Sequence, residues 1–160
     1  MTRTRMIHRK LAGITLLLLA GCSVSPPQPE DQQGFEVEPK AADRPQIRPS
    51  DQTSKAALAL LAKAREAVNE GRLSVAEAQL ERALRIEPQN AVLWHYMAKL
   101  RLHQGQLSQA AGLAAKSNSL DQGNSQLQAD NWRIIAHARY QEGDKPGAEQ
   151  AQRRAEKLLE

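Results

Sequence analysis

Residues 91–120 read AVLWHYMAKLRLHQGQLSQAAGLAAKSNSL, and residues 57–86 read ALALLAKAREAVNEGRLSVAEAQLERALRI. Laid over each other at a shift of 34, they place Gly71 on Gly105, Ala76 on Ala110, Leu80 on Ala114, Ala83 on Ser117 and Ile86 on Leu120. A third copy aligns on Gly143, 38 residues after Gly105, with Trp132 matching Trp94, Ala136 matching Ala98, and Ala148 and Ala155 in the corresponding later places. A period near 34 with small residues at fixed offsets marks stacked helix pairs. The expected fold is an all-α solenoid of about three helix-turn-helix units, six helices in all, over residues 54–160. The units fall at about 57–90, 91–124 and 125–160, each with a helix A and a helix B.

Local chemistry supports the same division. Glu70-Gly71, Gln104-Gly105 and Glu142-Gly143 each put a glycine where helix A stops, because only glycine enters the left-handed region without penalty. Ser74 with Glu77 has the capping-box spacing for the first B helix, and Ser108 and Asp144 are the candidate caps of the other two. Ala64, Ala98 and Ala136 allow close helix approach, and a large residue at Ala76 or Ala110 should overpack the seam by about 1–3 kcal/mol. Four extra residues around Asp121-Gln122-Gly123-Asn124 separate units two and three. Four residues are close to one helical turn, so helix A of unit three is expected to begin a turn early. Helix B of unit two is thin, with Gly112 inside, Ala114 in a large-residue place and Ser117-Asn118-Ser119 at its end. It is therefore expected to be the least protected helix in amide exchange.

These residues resemble the tetratricopeptide repeat. Unit one carries Leu60, Ala64, Gly71, Ala76, Leu80, Ala83 and Pro88; unit two Trp94, Ala98, Gly105 and Ala110; unit three Trp132, Ala136, Gly143, Ala148 and Ala155. The resemblance implies that Trp94 and Trp132 are packing residues and that the A helices line a concave groove for a peptide or partner helix. Carried over residue by residue, the groove positions are Arg65 and Asn69, then His95, Lys99 and His103, then Arg133, His137 and Tyr140. That stripe is mostly basic or titratable and suits acidic peptide groups or a terminal carboxylate. Leu61 and Arg65 stand where the family's carboxylate-clamp members carry Lys and Asn, so that clamp is not reproduced. Gln150, Gln152, Arg153, Arg154, Glu156 and Lys157 make the last helix a polar end cap.

The other end of the chain is of a different kind. Arg3, Arg5, Arg9 and Lys10 precede an apolar run from Leu11 to Ala20, and Leu19-Ala20-Gly21-Cys22 closes it. A basic start, a short apolar run and small residues before a cut site are the marks of a secretory signal, here 1–21. The run is about half of the roughly 20 residues that span a bilayer. The pattern resembles the lipobox of bacterial lipoproteins, which implies cleavage before Cys22, diacylation of its sulfur and acylation of the new amine. By the same resemblance, Ser23 in place of an inner-membrane aspartate implies the outer membrane of a Gram-negative cell, facing the periplasm. From 22 to 53 the chain is rich in Pro and Gln with few large apolar residues, the composition of a disordered tether.

Composition narrows the chemistry. Four of the 22 Lys and Arg lie before Cys22 and none of the 18 Asp and Glu do, so the mature chain is formally neutral and its basicity is no argument for nucleic acid. The one cysteine, once lipidated, leaves none for a disulfide. His95, His103 and His137 lack cysteine or carboxylate companions at ligand spacing, so no metal or other cofactor is expected. Neither a nucleophile elbow nor a phosphate-binding glycine loop is present, nor a carboxylate pair for glycan hydrolysis. The expectation is a non-enzymatic, membrane-anchored adaptor or assembly factor that holds another envelope protein or a peptide segment in its groove. A self-associating structural lipoprotein, joined through helix B of unit two or the last helix, is the alternative; a small-ligand or peptidoglycan binder is a third.

Overall fold

The computed structural model describes residues 47, 53–121 and 123–160. The signal expected at 1–21, Cys22 and nearly all of the tether expected at 22–53 lie outside the described residues. The described chain forms six helices: α1 (Lys55–Asn69), α2 (Leu73–Ile86), α3 (Ala91–His103), α4 (Leu107–Leu120), α5 (Ser125–Gln141) and α6 (Lys145–Lys157). No strand occurs among the described residues. Each helix packs on the next in sequence, and α3 also packs directly on α5. The all-α architecture of three A–B hairpins is thus the observed one.

Gly71, Gly105 and Gly143 adopt φ of 72°, 71° and 86° and close the three hairpins identically. After α1, the Gly71 amide donates to the Val68 carbonyl (2.9 Å) and the Arg72 amide to the Ala67 carbonyl (2.8 Å). Gly105 and Gln106, then Gly143 and Asp144, repeat both bonds. This is the paired closure that satisfies helix-end carbonyls through a left-handed residue. It starts α2 and α4 sooner than their serines suggest. The residues at the N-caps are Arg72, Gln106 and Asp144, in register with one another. Ser74 and Ser108 lie inside the first turn of α2 and α4, so the capping roles expected of them are corrected. Arg72, whose guanidinium has only donors, and Gln106, with its amide on a longer stem, make no side-chain cap, whereas Asp144 accepts from the Gly147 amide at 3.0 Å.

The four-residue insertion becomes helix. With Gly105 matched to Gly143, α5 starts four residues ahead of α3 and has 17 residues against 13, one added turn. Asp121 secures the junction by accepting from the Asn124 amide (2.8 Å) and from Gln128 Nε2 (2.8 Å).

Alanines make the seams: Ala64, Ala76, Ala98, Ala110, Ala136 and Ala148 are buried. The first core cluster joins Ala64 and Ala76 to large residues such as Leu61, Leu80, Leu93 and Leu100, and Ile47 belongs to it. The second rests on Ile134 and Ile135 among alanines. Both tryptophans are half-buried rather than enclosed, and Trp132 packs against the second core cluster. Trp94 Nε1 donates to the Pro88 carbonyl (2.8 Å), and the Arg154 guanidinium lies 4.6 Å from the Trp132 ring centre. Each indole therefore lies over a seam with one edge wet.

Gly112 sits in α4 with helical backbone, and a Cβ there would meet no atom within 4 Å. Gly112→Ala is expected to stabilise the fold by about 0.5–1 kcal/mol, read as a raised denaturation midpoint at unchanged slope.

Candidate functional site

The predicted stripe is distributed over the three A helices in unequal states. Arg65 and Asn69 are exposed on α1, and His103 is exposed at the end of α3. Lys99, Arg133, His137 and Tyr140 are half-buried. Arg133 is engaged by its neighbour, with Nη1 2.7 Å from Asp130 Oδ1. The Arg65 guanidinium lies 5.8 Å from the ring centre of Tyr96, which links α1 to α3. Cys22 lies outside the described residues.

His95 is corrected. It is 2 % exposed and faces α5 rather than an open groove. Its Nδ1 is 2.8 Å from Asn131 Oδ1. The Asn131 amide donates to Ser117 Oγ (2.8 Å) and to Asn118 Oδ1 (2.8 Å), and Ser117 Oγ donates to the Ala91 carbonyl (2.8 Å). With its amide nitrogen so committed, Asn131 offers His95 an acceptor, and the proton belongs on Nδ1. Burial pushes the His95 pKa down to about 4, despite the Asn131 hydrogen bond; the Lys99 charge adds to the lowering and Asp130 opposes it. His95 is therefore a neutral strut at ordinary pH.

This buried chain ties α3, α4 and α5 together and was missed from sequence. The signal lay in the repeat itself: Asn131 matches Leu93, and Ser117 matches Ala83, both fully buried in their units. Two polar residues at core places must find partners, and here they find each other. Ser117, at the thin end of α4, is a hub.

A second polar knot joins unit one to unit two. Arg101 Nη2 donates to Glu77 Oε1 (2.7 Å), Gln104 Nε2 to Glu77 Oε2 (3.0 Å), and Arg101 Nη1 to Gln104 Oε1 (2.9 Å). The Arg101 hydrogen bond, then that of Gln104, holds the Glu77 carboxyl below its usual pKa. At the chain's entry, Glu87 accepts from the Ser54 amide (2.7 Å) and from Asn90 Nδ2 (2.7 Å), and Asn90 Nδ2 also reaches Thr53 Oγ1 (3.0 Å). Burial works to raise the Glu87 pKa, but these bonds outweigh it and lower it.

Beside Gly112 an open cleft of about 660 Å³ lies among α2, α3 and α4, with Leu84, Trp94, Met97 and Leu113 as its apolar lining and Arg85 and Glu81 among its polar ones. No group of three His, Cys, Asp or Glu residues that could hold a metal exists among the described residues. None of their helices is long and apolar enough to cross a membrane.

Hairpins closed by the same glycine turn and stacked through alanine seams define a helical-repeat protein, a class whose faces serve protein recognition. A profile of the tetratricopeptide repeat matches residues 67–129. The chain is also similar to the globular C-terminal domain of P. aeruginosa LpoP, with 38 % identity and a TM-score of 0.63 over 66 % of this chain and 99 % of that one. No curated protein matches the chain. The chain belongs to the tetratricopeptide-repeat family.

Proposed function

We propose that this chain is a lipid-anchored interaction protein of the bacterial envelope, an adaptor or assembly factor in a pilus or secretin, outer-membrane or peptidoglycan-building complex. Cleavage at 21, acylation of Cys22 and a tether to about residue 53 would hold the repeat domain, 54–160, to the periplasmic face of the outer membrane. The A-helix face formed by Arg65, Asn69, Lys99, His103, Arg133, His137 and Tyr140 takes the partner, and His95 supports it from behind. The observation that carries this reading is the placement of those basic and titratable side chains at or near the surface of three successive A helices while alanines and leucines fill the seams. The lipid fixes one end of the protein and the tether raises the local concentration of the groove near its partner. No catalytic step is assigned to it.

Crosslinking in intact cells tests the proposal. Lys99→Glu and Arg133→Glu are each expected to cut recovery of an acidic partner segment by about tenfold, through lost attraction and new repulsion. Recovery of no envelope protein, or of as much from both variants as from the wild-type chain, rejects the groove. The cleft beside Gly112 favours one second reading, self-association through α4. Sedimentation over a wide concentration range separates the two, since a strict monomer removes the second.

A further inference from the structure

Ile47 lies seven residues before the cap of α1, within the Pro- and Gln-rich tether, yet it is 7 % exposed and part of the first core cluster. Its carbonyl accepts a hydrogen bond from the Tyr96 hydroxyl at 3.2 Å. Tyr96 also carries the Arg65 guanidinium over its ring, so the contact adjoins the polar stripe on the A helices. One aliphatic side chain is buried and one backbone carbonyl is held. That is how a groove grips an extended peptide, with main-chain hydrogen bonds for affinity and a pocket for the side chain. The flanking sequence Pro45-Gln46-Ile47-Arg48-Pro49 is suited to such a role, because proline on both sides limits the freedom lost on docking. Thr53 and Ser54, held by Asn90 and Glu87, keep the segment close to its seat.

We infer that the seat at Tyr96, beside Arg65, is a peptide subsite of the groove, filled by this chain's own Ile47, which a partner's aliphatic residue must displace. The tether is then a built-in ligand as well as a spacer. This deepens the adaptor reading and rests on it for the partner's side. At a separation of seven residues the local concentration of the occupant is on the order of millimolar. Any competing peptide therefore binds at a correspondingly reduced apparent affinity.

The test adds a fluorescent synthetic peptide copying residues 43–52 to the full chain and follows its anisotropy. Ile47→Asp, which empties the seat, is expected to bind the peptide at least about tenfold more tightly than the wild-type chain. Adding Tyr96→Phe to Ile47→Asp should weaken that binding severalfold, by loss of the hydroxyl alone. Equal binding by wild type and Ile47→Asp overturns the inference, as does absence of binding to Ile47→Asp. Loss of helix in the circular dichroism of Ile47→Asp also overturns it, because Ile47 would then be a fixed core residue. A chain that captures an envelope protein but fails these peptide tests removes the self-ligand and leaves the adaptor reading standing; the opposite pattern does the reverse.

Discussion

Asn131→Ala is expected to lower the melting temperature by roughly 15–30 °C, a loss of about 3–5 kcal/mol. The side chain is wholly buried and serves His95, Ser117 and Asn118 at once. Truncation strands the His95 N–H, leaves Ser117 Oγ without its donor and opens a void, and each stranded buried group costs about 1–3 kcal/mol. The decisive control removes the whole polar set. His95→Leu, Ser117→Ala and Asn131→Leu together copy the apolar solution already used at Leu61, Ala83 and Leu93. That triple variant should recover at least half of the loss, because the fully buried polar groups go together and only the half-buried Asn118 Oδ1 and the Ala91 carbonyl lose a partner. Thermal melts by circular dichroism decide the matter. A single variant that melts with wild type would mean the network is not closed as described.

The same network makes the fold acid-sensitive through His95. Its pKa is about 4 in the folded chain, against an ordinary value of 6.5. Between those values the unfolded chain binds a proton that the folded chain excludes, so acid favours unfolding. The His95 contribution is constant above pH 6.5, declines as pH falls from 6.5 to about 4, and is flat below. The full decline is about 3 kcal/mol, of which about 2 kcal/mol falls between pH 7.5 and 5.0. Glu77 and Glu87, whose pKa values are lowered, lose their contributions at still lower pH, below the usual 4.5. Urea midpoints at pH 7.5 and 5.0 therefore isolate the histidine. His95→Gln keeps a donor for Asn131 and should abolish most of the difference; a variant retaining the whole difference would assign it to other groups.

What could be read in advance follows from how local each determinant is. The glycine turns were legible because a left-handed residue at a fixed interval has few alternatives, and the added turn of α5 was legible because four residues nearly complete a helical period. The Asp144 cap stands, but the two serine caps do not, because the backbone closure at Gly71 and Gly105 starts the B helix one residue after its second bond, before either serine. On the A-helix face, a helical stripe predicts the side but not the depth. Arg65 and Asn69 stay exposed on the first A helix, whereas α3 is covered by α5 and His95 is sealed beneath it. Tyr96 was overlooked because its partners, Ile47 and Arg65, come from 49 and 31 positions earlier in the chain. No local pattern announces such a contact.

The pin between Thr53-Ser54 and Glu87-Asn90 has a mechanical meaning. Tension drawn through the amino-terminal side of α1 reaches these hydrogen bonds before it reaches the helix. The load is passed across to the loop that begins α3, so the first hairpin is braced by the second and is not peeled away alone. A pulling measurement should find the opening hairpin sturdier than its small size implies, and softened when Glu87 is replaced by alanine.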